Sequence, residues 1–192
     1  MASENKISRQ VARFFTFLFD VPLVAIFSFS LFYFLKHTDT LAYLVSVIFI
    51  GIIPLFAWAY LLFHKGDYKG ERKVSFLIDA VSYPIGFLIL LLRNIHSFYT
   101  ALVLSYLLNV IFLIVINKLL KYKASGHAAG IAGPGTALTI VFGWCGAIAF
   151  LLLVPVFYAK ITLREHTFMQ LTVGALLSTV LTYLSFVIIG VI

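Results

Sequence analysis

The sequence predicts an all-α fold: a polytopic integral-membrane helix bundle of six to seven helices. Three observations carry that expectation. Of 192 residues, 62% are hydrophobic and only 11% charged, with a mean hydropathy of +1.08. A water-facing domain carries about 25% charged residues. Apolar stretches near the ~20 residues that a helix needs to cross the hydrocarbon recur along the whole length. The charges gather in a few short segments between those stretches. Residues 1–192 therefore read as a single membrane-embedded domain.

The first helix is expected over residues 11–36, opening with an amphipathic interfacial stretch at Val11–Leu18. The polar start "MASENKISRQ" and the long apolar run after it exceed a signal-peptide core, so this helix is read as a retained anchor. The second helix covers 41–63 and is followed by the polar segment "HKGDYKGERK". The third covers 74–93 and the fourth 98–120, joined by the tight link "RNIHS". Residues 128–158 admit one helix or a hairpin. Glycines at both ends of "GWCG" favour a turn there, which gives a fifth helix over 126–142 and a sixth over 147–160. Seventeen residues rising 1.5 Å each span about 25 Å, short but sufficient. Pro134 is expected to bend the fifth helix. The seventh helix covers 166–192.

That topology has a consequence. Every lysine and arginine except Lys36 and Arg93 falls on one membrane face. Positive charge in short loops marks the cytoplasmic side, so the N-terminus and the polar clusters are expected there. A net charge of +7 and a pI near 9.6 fit anionic lipid headgroups or a phosphorylated substrate. Nucleic acid is a poor partner for a chain with so little surface outside the membrane. The lone Cys145 excludes an internal disulfide and a thiolate metal site. No metal-ligand set and no cofactor motif stands out.

Three polar clusters share the basic face: "KGDYKGER" (65–72), "KASGH" (123–127) and "AKITLREHTFMQ" (159–170). Together they offer cations for phosphate oxygens, backbone N–H groups at a helix start and two histidines able to attack phosphorus or move a proton.

In order and spacing, these clusters resemble the three signature motifs of the type 2 phosphatidic acid phosphatase family of integral-membrane lipid phosphatases. Lys65 and Arg72, with six residues between them, match the first, with Lys73 at the position of its proline. Ala124-Ser125-Gly126-His127 matches Pro-Ser-Gly-His. Ala159-Lys160, five residues, His166, three residues and Gln170 match Ser-Arg, five residues, His, three residues, Asp. Gln at the last position resembles a divergent branch, in which Asp67, Lys69 and Arg72 match the first motif. The resemblance implies a metal-independent hydrolase with a phosphohistidine intermediate. His166 would be the nucleophile, His127 the general acid and Gln170 the group that orients His166. Lys65, Arg72 and Lys160 would bind phosphate oxygens, with Ser125 and the Gly126 N–H completing the cradle. Lys69 and Lys123 are candidates for the same role or for headgroup contact. The substrate would be a lipid phosphate monoester or diphosphate, isoprenyl or phosphatidate-like. Since Gln170 cannot supply the negative charge of an aspartate, Glu165, Asp67 or Glu71 would have to compensate, or activity would be lower.

His37, His64 and His96 read as headgroup-level residues, and Lys6, Arg9, Arg13, Lys118 and Lys121 as snorkelling, topology-setting cations. Asp20 marks an interfacial bend, and Asp79 lies close enough to Arg72 to pair with the basic cluster. Two competing functions remain beside the enzyme: a catalytically weakened lipid-phosphate-binding relative, and a small transporter. No inverted repeat or polar file along the helices favours the transporter.

Overall fold

The computed structural model describes residues 2–36, 39–95 and 97–192, apart from the side chains of residues 2–5, 68 and 69. His37 and His96 lie outside the described residues. The described chain is an all-α bundle of eight helices without strands. They are α1 (Ala2–Leu18), α2 (Val21–Lys36), α3 (Thr40–Phe63), α4 (Tyr68–Leu92), α5 (Phe98–Lys118), α6 (Gly126–Phe142), α7 (Trp144–Thr162) and α8 (Phe168–Ile189). Five of them, α3, α5, α7, α8 and residues 70–92 of α4, are long and apolar enough to cross a membrane, and α1 with α2 makes a sixth, bent candidate.

The first expected helix is two. α1 and α2 meet at 49°, and the break falls where Asp20 accepts from the Val21 N–H at 2.9 Å. An aspartate followed by a proline two residues later is a helix-start signal, so Val21-Pro22 begins a new helix. α1 is the amphipathic stretch, extended back to Ala2, and it packs along α7. Ser8 Oγ and the Tyr158 hydroxyl lie 3.0 Å apart across that seam.

The hairpin of α6 and α7 is present, with α6 over the expected residues. Gly143 turns the chain at φ +63°, a conformation that strains any residue with a Cβ. α6 runs unbroken through Pro134 and is the hub of the bundle, with residues 128–138 all buried. Its small side chains let α8 approach closely, and Ser178 Oγ of α8 donates to the Ala129 carbonyl at 2.8 Å. A tilted and stacked cluster of Phe29, Phe32, Phe98, Tyr99 and Phe142 fills the opposite end.

The alternation of helices brings the α3–α4, α5–α6 and α7–α8 connections to the end of the bundle where α1 meets α2. Side-chain caps define their helix starts. Asp67 accepts from the Gly70 N–H at 2.9 Å, so α4 begins at Tyr68. Ser125 accepts from the Ala128 N–H at 3.4 Å. Thr167 and Gln170 form a reciprocal capping box at the start of α8.

Candidate functional site

A cavity of about 800 Å³ opens at that end of the bundle. Its mouth is lined by His127, His166, Arg72, Lys123, Lys160 and Gly126, so six of the ten residues expected from the motifs line one space. α4 contributes Arg72, one turn past its cap. The α5–α6 loop and the start of α6 contribute Lys123, Gly126 and His127. The end of α7 contributes Lys160, and the α7–α8 loop His166.

The second and third clusters are tied directly. The Ser125 N–H donates to the Gln170 carbonyl at 3.1 Å, and Lys123 Nζ donates to the Glu165 carbonyl at 2.7 Å. Gly174 allows this approach: a Cβ there would collide with the Ser125 backbone. Arg164 and Lys121 adopt the left-handed region, φ +56° and +53°. Such backbone is uncommon outside glycine and here turns both loops toward the cavity.

His166 Nδ1 lies 3.3 Å from Gln170 Oε1. The same oxygen accepts from the Thr167 N–H at 3.1 Å, which identifies it as the carbonyl end of the amide. A carbonyl oxygen only accepts, so Nδ1 carries the hydrogen and Nε2 keeps its lone pair. Burial and the Lys123 and Arg72 charges push the His166 imidazole down to about 4, against the pull of the Gln170 hydrogen bond. His166 is therefore neutral at physiological pH. The folded value lies below the free imidazole's 6.5, so folding is penalised as pH falls from about 6.5 toward 4. A titration of ¹³C-labelled histidine by NMR is expected to give His166 a midpoint near 4, and Lys123→Gln to raise it.

Glu165 is held by Lys160 at 2.9 Å and Arg72 at 3.6 Å. Burial alone would raise its carboxyl; the Lys160 ammonium, their hydrogen bond and the Arg72 guanidinium outweigh burial and hold it below its usual range. Lys160 is 2% exposed, whereas the Arg72 side chain is 43% exposed. Arg72 can swing from Glu165 to an incoming anion; Lys160 is fixed. Glu165 thus neutralises the cations rather than partnering His166. Asp67 is engaged by Gly70 and by the Tyr60 hydroxyl at 2.8 Å.

The carboxylate facing a histidine is Asp20, and the histidine is His127: Oδ1 lies 3.4 Å from Nε2. Trp58 Nε1 donates to the other Asp20 oxygen at 2.8 Å. A chain from α3 through the α1–α2 break to α6 therefore orients His127. The bend at Asp20 is the one expected; its role at the site is new. Arg9 and Arg13 also line the cavity with Thr16, Phe17 and Asp20. Their spacing of four, then three to four residues puts them on one helical face, a signal that the topological reading of these arginines passed over.

Two expected ligands sit elsewhere, and the expected orienting group, Gln170, is at its expected place. Lys65 is exposed in the turn before Asp67 and is not part of the cavity wall, because the Asp67 cap starts α4 after it. Ser125 is fully buried behind the wall as the cap of α6. Gln170 stands behind His166. The Lys69 side chain lies outside the described residues. His64 is exposed and stacks on Tyr60 at 4.2 Å.

Gln170→Ala removes the hydrogen bond that pulls the His166 midpoint up, so that midpoint is expected to fall further in the histidine NMR titration; an unchanged midpoint would remove the Gln170–His166 contact. Compared with protein-family models, curated proteins and solved structures, the chain matches none of them.

Proposed function

We propose that this protein is a membrane-embedded phosphohydrolase that releases phosphate from a lipid phosphate monoester or diphosphate through a phosphohistidine. The observation that carries the reading is one cavity wall holding a neutral His166 with Nε2 free, a carboxylate-paired His127 and the cations Arg72, Lys123 and Lys160. The motif resemblance points the same way.

Arg72, Lys123 and Lys160 would hold the phosphoryl oxygens, with the Gly126 N–H at the positive end of α6. His166 Nε2 attacks phosphorus, and the bond to the lipid oxygen breaks. With Nε2 of His127 committed to Asp20, Nδ1 is the nitrogen that delivers a proton to the leaving oxygen. Arrival of the phosphate dianion, with Asp20 on the other side, favours the imidazolium that this step needs. Water then loses a proton to His127 and attacks phosphorus. The P–N bond breaks, and inorganic phosphate leaves with His166 restored. Lateral access through the bilayer would deliver the lipid. Phosphate release by the purified protein from a panel of isoprenyl and glycerolipid phosphates tests the reading; no release from any member removes it and favours a lipid-phosphate-binding role.

The site is proposed to face the cytoplasm. Once the cavity-lining and motif cations are set aside, Lys6, Lys73, Lys118 and Arg164 remain on the site face against Lys36 and Arg93. An impermeant maleimide on intact cells is expected to label the exposed Cys145 at the far end. It should not label Ser3→Cys in a Cys145→Ala background. The reverse pattern would invert the topology.

A further inference from the structure

The cavity does not end at the phosphate site. It continues between α4, α5, α6 and α8 to a second polar level lined by Asp79, Tyr83, Ser105, Tyr106, Asn109 and Ser178. Three helices set its depth. Asp79 lies seven residues beyond Arg72 on α4, Asn109 eight residues before Asn117 of the mouth on α5, and Ser178 eight residues beyond Gln170 on α8. At 1.5 Å per residue this level is about 10–12 Å below the mouth.

Most polar groups at this level have partners. Ser178 Oγ is taken by the Ala129 carbonyl, Ser105 Oγ lies 2.6 Å from Thr182 Oγ1, and Asn109 Nδ2 donates to the Ser105 carbonyl at 2.8 Å. Asp79 is engaged by Tyr83 and Ser75. Three atoms are left over: Asp79 Oδ1 on α4 and, on α5 residues that are 5% and 8% exposed, the Tyr106 hydroxyl and Asn109 Oδ1. The two on α5 sit three residues apart on one helical face and line the same space. In hydrocarbon an unpartnered polar atom is strongly disfavoured, and a plain alkyl or isoprenyl chain passing this level would leave both unsatisfied. The pair presents one O–H that can donate and one carbonyl that only accepts. A single hydroxyl complements both, accepting from Tyr106 and donating to Asn109.

We infer that the lower level is a binding site for a hydroxyl group carried on the chain of the lipid phosphate, so that the preferred substrates are hydroxylated lipid phosphates rather than all-hydrocarbon ones. This rests on the phosphohydrolase reading for the identity of the headgroup alone. The proposed reaction uses no residue of this level.

The test is a hydroxyl scan. Hexadecylphosphonates, which cannot be hydrolysed, are prepared unsubstituted or with one hydroxyl moved along the chain, and their affinity is measured by calorimetry in detergent. An extended chain advances about 1.2 Å per bond, so tighter binding, by about tenfold, is expected for a hydroxyl about eight to ten bonds from phosphorus. Tyr106→Phe, which removes one oxygen, and Asn109→Leu should each abolish that preference and leave the unsubstituted compound unaffected. A flat scan, a maximum at the first carbons, or a preference that survives both variants overturns the inference. Phosphate release from hexadecyl phosphate, measured in parallel, separates the two claims. A hydroxyl preference without turnover sinks the hydrolase and leaves the site. Turnover with a flat scan does the reverse.

Discussion

His166→Ala is expected to lower phosphate release from a lipid phosphate by at least about 10⁴-fold, to the background of the assay. Removing the nucleophile removes a covalent step, not a supporting contact. No second group stands ready to replace it. His127 is the other imidazole in the cavity wall, and its Nε2 is committed to Asp20. Cys145 lies in the α6–α7 hairpin at the other end of the bundle. The substitution should leave the fold intact. The start of α8 keeps the Gln170 N–H bond to Thr167 Oγ1 at 3.3 Å, and Gln170 Oε1 keeps the Thr167 N–H. Arg72, Lys123 and Lys160 remain to bind the headgroup, so affinity for an alkylphosphonate should survive while turnover is lost. Residual turnover within tenfold of the wild type would mean that phosphorus is attacked by something else.

The second large effect belongs to His127, and its size depends on the leaving group. A lipid alkoxide is a poor leaving group and needs a proton, so His127→Ala should slow its release about 10²–10⁴-fold. An activated aryl phosphate leaves without one and should be affected far less. Asp20→Asn should reproduce this leaving-group dependence at smaller magnitude. Asparagine occupies the same space but cannot favour the imidazolium, and its amide can meet Nε2 with the wrong hydrogen. Equal losses on lipid and aryl substrates would assign His127 to binding or to the fold. In the proposed mechanism the amide partner leaves His166 unprotonated and able to attack, and the Asp20 carboxylate supports a proton on His127 once the phosphate dianion has arrived.

Most of this architecture was legible in the sequence. Glycines bracketing "GWCG" marked the α6–α7 hairpin, and the length of the apolar runs marked the spans. The split of the first helix was also written there, as Asp20 followed by Pro22, but the surrounding apolar run masked it. The motif residues His127, His166, Arg72 and Lys160 line one cavity: Arg72 and His127 stand in the first turns of α4 and α6, Lys160 in the last turn of α7 and His166 just before the cap of α8. Motif spacing failed for Lys65, since spacing along the chain takes no account of the Asp67 cap that ends the turn before α4. Asp20 as the partner of His127 was not legible, because it requires α1, α3 and α6 to meet, and no local pattern encodes that meeting. The same holds for Tyr106 and Asn109, two polar residues inside an apolar run that acquire meaning only when α4, α6 and α8 close around them.

The proposed reaction passes through a covalent bond between phosphorus and His166. Rapid mixing of the purified protein with a ³²P-labelled lipid phosphate, followed by alkaline quench and peptide mapping, measures it directly. An acid-labile, alkali-stable phosphate is expected on the peptide containing His166. That label should build up with the aryl phosphate in His127→Ala, where water lacks its base, and be absent in His166→Ala. Phosphate release without a labelled histidine, or a label carried by His127, would contradict the proposed reaction.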